Sequence, residues 1–128
     1  MKQVEITSSM RTLGGVFYPK GYAFVMFPTV EHAQQVVSQS TTDAMLLTPR
    51  QVLVDVGQVK DDSDVELPAV GTEGATVRKF IDLARKGHHA VMVKIDSDEE
   101  AESLMVVARA ASFSYGQRYH LLAMEDLE

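Results

Sequence analysis

The stretch KGYAFVMF, Lys20–Phe27, decides how the chain is read, because it must be either the opening strand of a sheet or a later strand that needs structure ahead of it. Pro19, Lys20 and Gly21 have turn chemistry, a proline presetting φ at the second turn position and a glycine relieving the exit. Lys20 and Gly21 then belong to the turn, and the strand is YAFVMF, residues 22–27. Alternation sends Tyr22, Phe24 and Met26 to one face and Ala23, Val25 and Phe27 to the other. Both sets are apolar, so neither face reads as solvated. One face must meet helices; the other calls for loops, a tail or a second copy of the chain.

Working outward, Pro28-Thr29 stops the strand, and Thr29 can cap a helix with Val30, Ala33, Val36 and Val37 on one side. The apolar run AMLL, residues 44–47, leads into Thr48-Pro49-Arg50-Gln51. That pattern is a capping box with proline at the first helical position. Val52, Leu53 and Val56 give this helix an apolar side, and Gly57 is a natural stop. Residues 58–75 are acidic and rich in Ser, Pro and Gly, and read as a solvated connecting loop.

From Thr76, the spacing of Val77, Phe80, Ile81, Leu83 and Ala84 is helical, and Gly87 terminates it. HHAVMVKI, residues 88–95, is a strand. Ser97 and Glu100 form a second capping box, and Ala101, Leu104, Met105 and Ala108 face inward from the last helix. QRYHLLAM, residues 117–124, reads as the closing strand.

The two halves share a layout, strand, polar stop, amphipathic helix, strand. The expected fold is therefore α+β, ferredoxin-like, with a four-stranded antiparallel sheet built from two βαβ units and a helical insertion between them. Helices are expected on one face of the sheet. The whole chain, 1–128, reads as a single domain: a first βαβ half with its following helix over 1–57, the loop over 58–75, and a helix plus second βαβ half over 76–128.

Composition narrows the function. At 128 residues and 45% apolar the chain can bury a core without disulfides or metals. It has no cysteine, which excludes thiolate catalysis and zinc–sulfur sites. No apolar run approaches the ~20 residues of a membrane helix and no signal-peptide pattern opens the chain, so a cytoplasmic protein with no membrane partner is expected. Residues 1–60 carry five Lys/Arg and four Asp/Glu, and residues 61–128 carry seven and fourteen, giving +1 and −7 and a net charge of −6. A chain that wraps phosphate backbone is usually basic, so a nucleic-acid partner is not expected.

Candidate sites are few. His88 and His89 begin a strand and point to opposite faces, so they cannot hold one metal together. His32 and His120 have no ligand spacing with them, and no metal or other cofactor is expected. Thr72 and Gly74, ahead of a helix carrying Arg78, could form a weak anion cradle, and His88, Arg78 or Tyr119 could line a small-molecule cleft between the insertion and the sheet. The phosphate-loop spacing is absent. Five acids in Asp96–Glu102 match the first-turn preference of a capped helix rather than a calcium loop. Phe113, Tyr115 and Tyr119, around Gly116 and beside Arg118, gather the residue types common at interfaces, and the same residue types also seal the edge of a core. Without a nucleophile elbow or an acid–base pair, no catalytic residue is assigned.

KGYAFVMF also resembles the octapeptide signature of RNA-recognition-motif domains. That resemblance implies single-stranded RNA binding through Lys20, Tyr22 and Phe24. In that family the octapeptide lies on the third strand, whereas only 19 residues precede Lys20 here, and VEITSS offers no companion aromatic. GATVRKFIDLARKGHHAVMVKI and YHLLAMEDL, with GYAFVMFPTVEHAQQVV, look similar in pattern to small bacterial stress-associated or uncharacterised proteins of repeated strand-helix-strand units. That resemblance implies a small, stress-linked accessory protein rather than an enzyme. The expected function is protein–protein contact, with a homodimer formed through the sheet by Tyr22, Phe24, Met26, Phe113, Tyr115 and Tyr119.

Overall fold

The computed structural model describes residues 19–40, 43–56, 71–119 and 124–127. It opens on a turn in which the Tyr22 N–H donates to the Pro19 carbonyl at 3.1 Å. Gly21 has φ +83°, the value a type II turn requires at its third position. Pro19 is thus the first residue of the turn, one place earlier than its φ-presetting role had predicted. Strand β1, Tyr22–Phe27, follows directly.

Thr29 caps helix α1, Val30–Gln39, by accepting from the His32 N–H, and buries Ala33 and Val36 as the periodicity requires. Strand β2, Ala44–Leu47, leads to the short helix α2, Pro49–Gln51, which continues as a π-wound turn over Val52–Val56. Both halves of the Thr48/Gln51 capping box form: the Gln51 N–H donates to Thr48 Oγ1, and the Thr48 N–H donates to Gln51 Oε1.

Helix α3 runs Gly71–Arg85, five residues earlier than its predicted start at Thr76. The glycines that suggested a loop occupy its first turn, where helix propensity matters least, and burial of Val77, Phe80 and Ile81 holds the rest. The helix ends in a Schellman motif, the His88 N–H donating to Leu83 O and the Gly87 N–H to Ala84 O, with Gly87 at φ +92°.

Strand β3 is His89–Lys94, and helix α4, Asp98–Ala110, is capped by Ser97. Glu100 Oε1 reaches back to the Asp96 N–H at 2.6 Å, one residue beyond the standard box. The closing segment differs from the single strand expected over 117–124. Strand β4 is Tyr115–Tyr119, and a separate β5, Met124–Asp126, pairs antiparallel to it. The rest of the predicted strand, and the connecting segment 58–70, lie outside the described residues, as do Gly57 and His120.

The fold is α+β. All neighbouring strands are antiparallel in the order β2-β3-β1-β4-β5, a four-stranded core with the short β5 at its edge. Alternation along β1 divides the core in two. Ala23, Val25 and Phe27 pack with Ala33 and Val36 of α1 and Leu104, Met105 and Ala108 of α4. Phe24 and Met26 pack on the opposite face with Val52 and Val56 and with Val77, Phe80, Ile81 and Ala84 of α3. The sheet is therefore covered on both faces, which corrects the expectation of helices on one. The insertion carries its own apolar side, and the face bearing Phe24 and Met26 is the apolar surface within its reach. Closing one chain on itself costs less than ordering a second molecule.

Candidate interaction surface

The residues singled out from the sequence are dispersed by this architecture. Phe24 and Met26 are fully buried beneath the insertion, and Phe24 meets Phe80 at a centroid distance of 4.4 Å. Neither side chain is therefore an interface residue on an open sheet face, and the Phe24 ring has no face left for a nucleic-acid base. Lys20 is exposed in the turn and Tyr22 is half-buried at the margin of the same cluster, so the three octapeptide residues do not form one platform. Tyr119 is buried on the α3 side. Tyr115 lies there too, 5.5 Å from Phe80 by ring centroids, with Lys79 Nζ 5.9 Å above its ring. Phe113 packs on the opposite side, against the α1/α4 cluster. The aromatic group of residues 113–119 thus seals both core layers.

Thr72 and Gly74 lie within the first turn of α3 rather than ahead of it. Arg78 is solvent-exposed, and His88 is beyond the far end of the same helix, about 20 Å from Gly74 at 1.5 Å per residue. Thr72 and Gly74 therefore lie at the opposite end of α3 from His88.

His88 is held differently from any sequence expectation. Its Nδ1 is 2.7 Å from Ser114 Oγ, linking the α3–β3 turn to the start of β4. Burial and, secondly, the nearby Lys86 charge lower its pKa below the ordinary 6.5. His89 belongs to the alternate set with Val91 and Val93, and its Nδ1 is buried without a hydrogen-bond partner among the described residues. His32 Nδ1 is 2.9 Å from Thr29 Oγ1 at the α1 cap. The acidic turn at α4 has a structural occupation: Asp98 accepts from Arg118 at 2.8 Å, and Glu100 caps the backbone. Asp98 is 95% exposed, so the pair contributes little to stability despite its short distance.

Two surface features were not singled out from the sequence. One is a small groove of about 90 Å³ between α1 and α4, with Val36, Val93, Leu104 and Val107 as its apolar floor and Glu100 at its rim. The other is the outer edge of β2. The Lys94 N–H donates to Asp43 O, and the register pairs Ala44 with Val93 and Met45 with Met92. Antiparallel alternation therefore turns the N–H and C=O groups of Asp43, Met45 and Leu47 toward β3 and those of Ala44 and Leu46 outward. No backbone partner meets Ala44 or Leu46 on that outer side among the described residues. Ala44, Met45 and Leu46 are each half-exposed, and the strand carries no charge. The signal in the sequence was the uncharged run AMLL between Asp43 and Pro49, bounded as a strand is; its edge position required the sheet order.

Comparison with known protein families finds no match. Searches of curated proteins and of solved structures find no match either.

Proposed function

We propose that this protein is a non-enzymatic accessory or regulatory module of the cytoplasm that works through protein–protein contacts and associates with itself through its sheet. The core is read as ferredoxin-like. The strand order β2-β3-β1-β4, with α1 and α4 contributing to one core layer and the insertion laid over the other, supports that reading.

A single observation carries the functional reading: with both sheet faces occupied by the chain itself, an uncharged, half-exposed edge strand remains at β2. Natural sheets guard such edges with charges, proline or a covering element because unpaired N–H and C=O groups template strand addition. Contact therefore belongs to the rim of the sheet rather than to Phe24 and Met26. Sedimentation equilibrium of the full chain tests it. A mass rising with concentration from 14.1 kDa toward twice that value is expected. A constant single-chain mass into the high micromolar range rejects self-association.

A further inference from the structure

We infer that two copies pair β2 to β2 antiparallel about a twofold axis through Met45, with Ala44 of each strand opposite Leu46 of the other. This rests on the self-association proposed above and specifies its surface and register. Only outward-facing residues can form hydrogen-bonded pairs between copies, which restricts the pairing to Ala44 and Leu46 and their neighbours in the same parity. Centring on Leu46 would require Thr48 as a partner. Its N–H is already bound to Gln51 Oε1 and its carbonyl to the Val52 N–H. Centring on Met45 instead uses the outward groups of Ala44 and Leu46 in both copies, four hydrogen bonds in all, two from each Ala44–Leu46 pair.

The side chains agree with this register. Met45 faces Met45 of the second copy on the α2/α3 side, and Leu46 faces Ala44 on the α1 side, so each contact is apolar. Asp43, which is exposed, falls opposite Leu47 of the second copy, three residues from the exposed Arg50. The twofold axis makes that opposite-charge approach twice. It keeps the two Asp43 residues at opposite ends of the paired strands, about 13 Å apart at 3.4 Å per residue. Four residues per strand make a small interface, so dissociation constants on the order of micromolar are expected rather than an obligate dimer.

The test uses sedimentation equilibrium on the full chain and three variants. Ala44→Pro removes an outward N–H while leaving the β2–β3 ladder intact, and a proline is tolerated on an edge strand. It is expected to weaken self-association about tenfold or more with unchanged circular dichroism and thermal unfolding. Asp43→Arg and Arg50→Asp are each expected to weaken association at low salt, and the two together in one chain to restore it. That restoration distinguishes pairing from misfolding even if Ala44→Pro does not fold. Dimers indifferent to all these changes would overturn the β2 register while leaving self-association standing. A wild-type chain that stays monomeric would overturn both.

Discussion

Phe24 of β1 and Phe80 of α3 meet with ring centroids 4.4 Å apart and planes tilted by 47°, both rings fully buried. This pair fastens the insertion to the sheet. Phe80 also contacts Tyr115 of β4, so one helical side chain bridges two strands. Phe80→Ala is expected to cost about 3–5 kcal/mol, as large-to-small changes in a packed aromatic core do. Urea unfolding followed by circular dichroism measures it. Phe24→Ala should cost a similar amount, and a double-mutant cycle should give about 0.5–1.5 kcal/mol of coupling for the ring pair. Independent, additive losses would show that the helix is held elsewhere.

His88 makes stability depend on pH in a defined sense. Its folded-state pKa lies below 6.5, through burial first and the Lys86 charge second, so the unfolded chain takes up the proton before the folded one. Stability should therefore rise with pH between the folded value and 6.5, and the contribution should be fully present above 6.5. NMR titration of the ring should give a midpoint under 6.5, moving upward in Lys86→Gln. His88→Gln should flatten the stability slope in that window. A midpoint at or above 6.5 in the wild type would contradict the environment described.

Gly87 has φ +92° and ends α3, yet a Cβ placed there would meet nothing within 4 Å. Gly87→Ala therefore tests backbone strain without a steric clash. It should destabilise by about 1–2 kcal/mol, the cost of the left-handed region for a residue with a Cβ. Gly87→Asn should cost less, because asparagine tolerates that conformation better. Equal losses for the two would mean that something other than φ governs the site.

The local elements were legible where one residue type does one thing. Thr29, Thr48 and Ser97 cap helices because a short hydroxyl before an amphipathic run has few other uses there. Gly87 and the apolar faces of α1 and α4 followed for the same reason. The second helical layer was not legible, since alternation along YAFVMF states that both faces are apolar but not what covers them. The start of α3 was missed because Gly71 and Gly74 oppose helix by propensity, while the burial that outweighs propensity is tertiary. KGYAFVMF could match an RNA-binding signature because a central strand covered on both sides selects the same aromatic and β-branched letters. The exposed edge at β2 depends on sheet order, which no local pattern encodes.

The chain end offers a test of how firmly β5 is seated. The Leu127 N–H donates to Gly116 O at 3.1 Å, and Leu127 packs on the α1/α4 cluster. A Cβ at Gly116 would lie 3.1 Å from Leu127 Cδ1 and 3.4 Å from both Leu127 Cβ and the Phe24 carbonyl oxygen. The tightest neighbour is the end of a flexible side chain, whereas the carbonyl belongs to the central strand and cannot move without disturbing the β1–β4 ladder. Gly116→Ala should therefore displace Leu127 rather than β1. Hydrogen exchange at the Leu127 amide should quicken while amides of β1 and β3 keep their protection. Leu127→Ala should then cost less in the Gly116→Ala background than in the wild type, because the contact it removes is already disturbed, with a coupling of about 0.5–1 kcal/mol. Quickened exchange in β1 itself would show that the strain passes to the sheet, and that Leu127 is held too rigidly by its packing to yield.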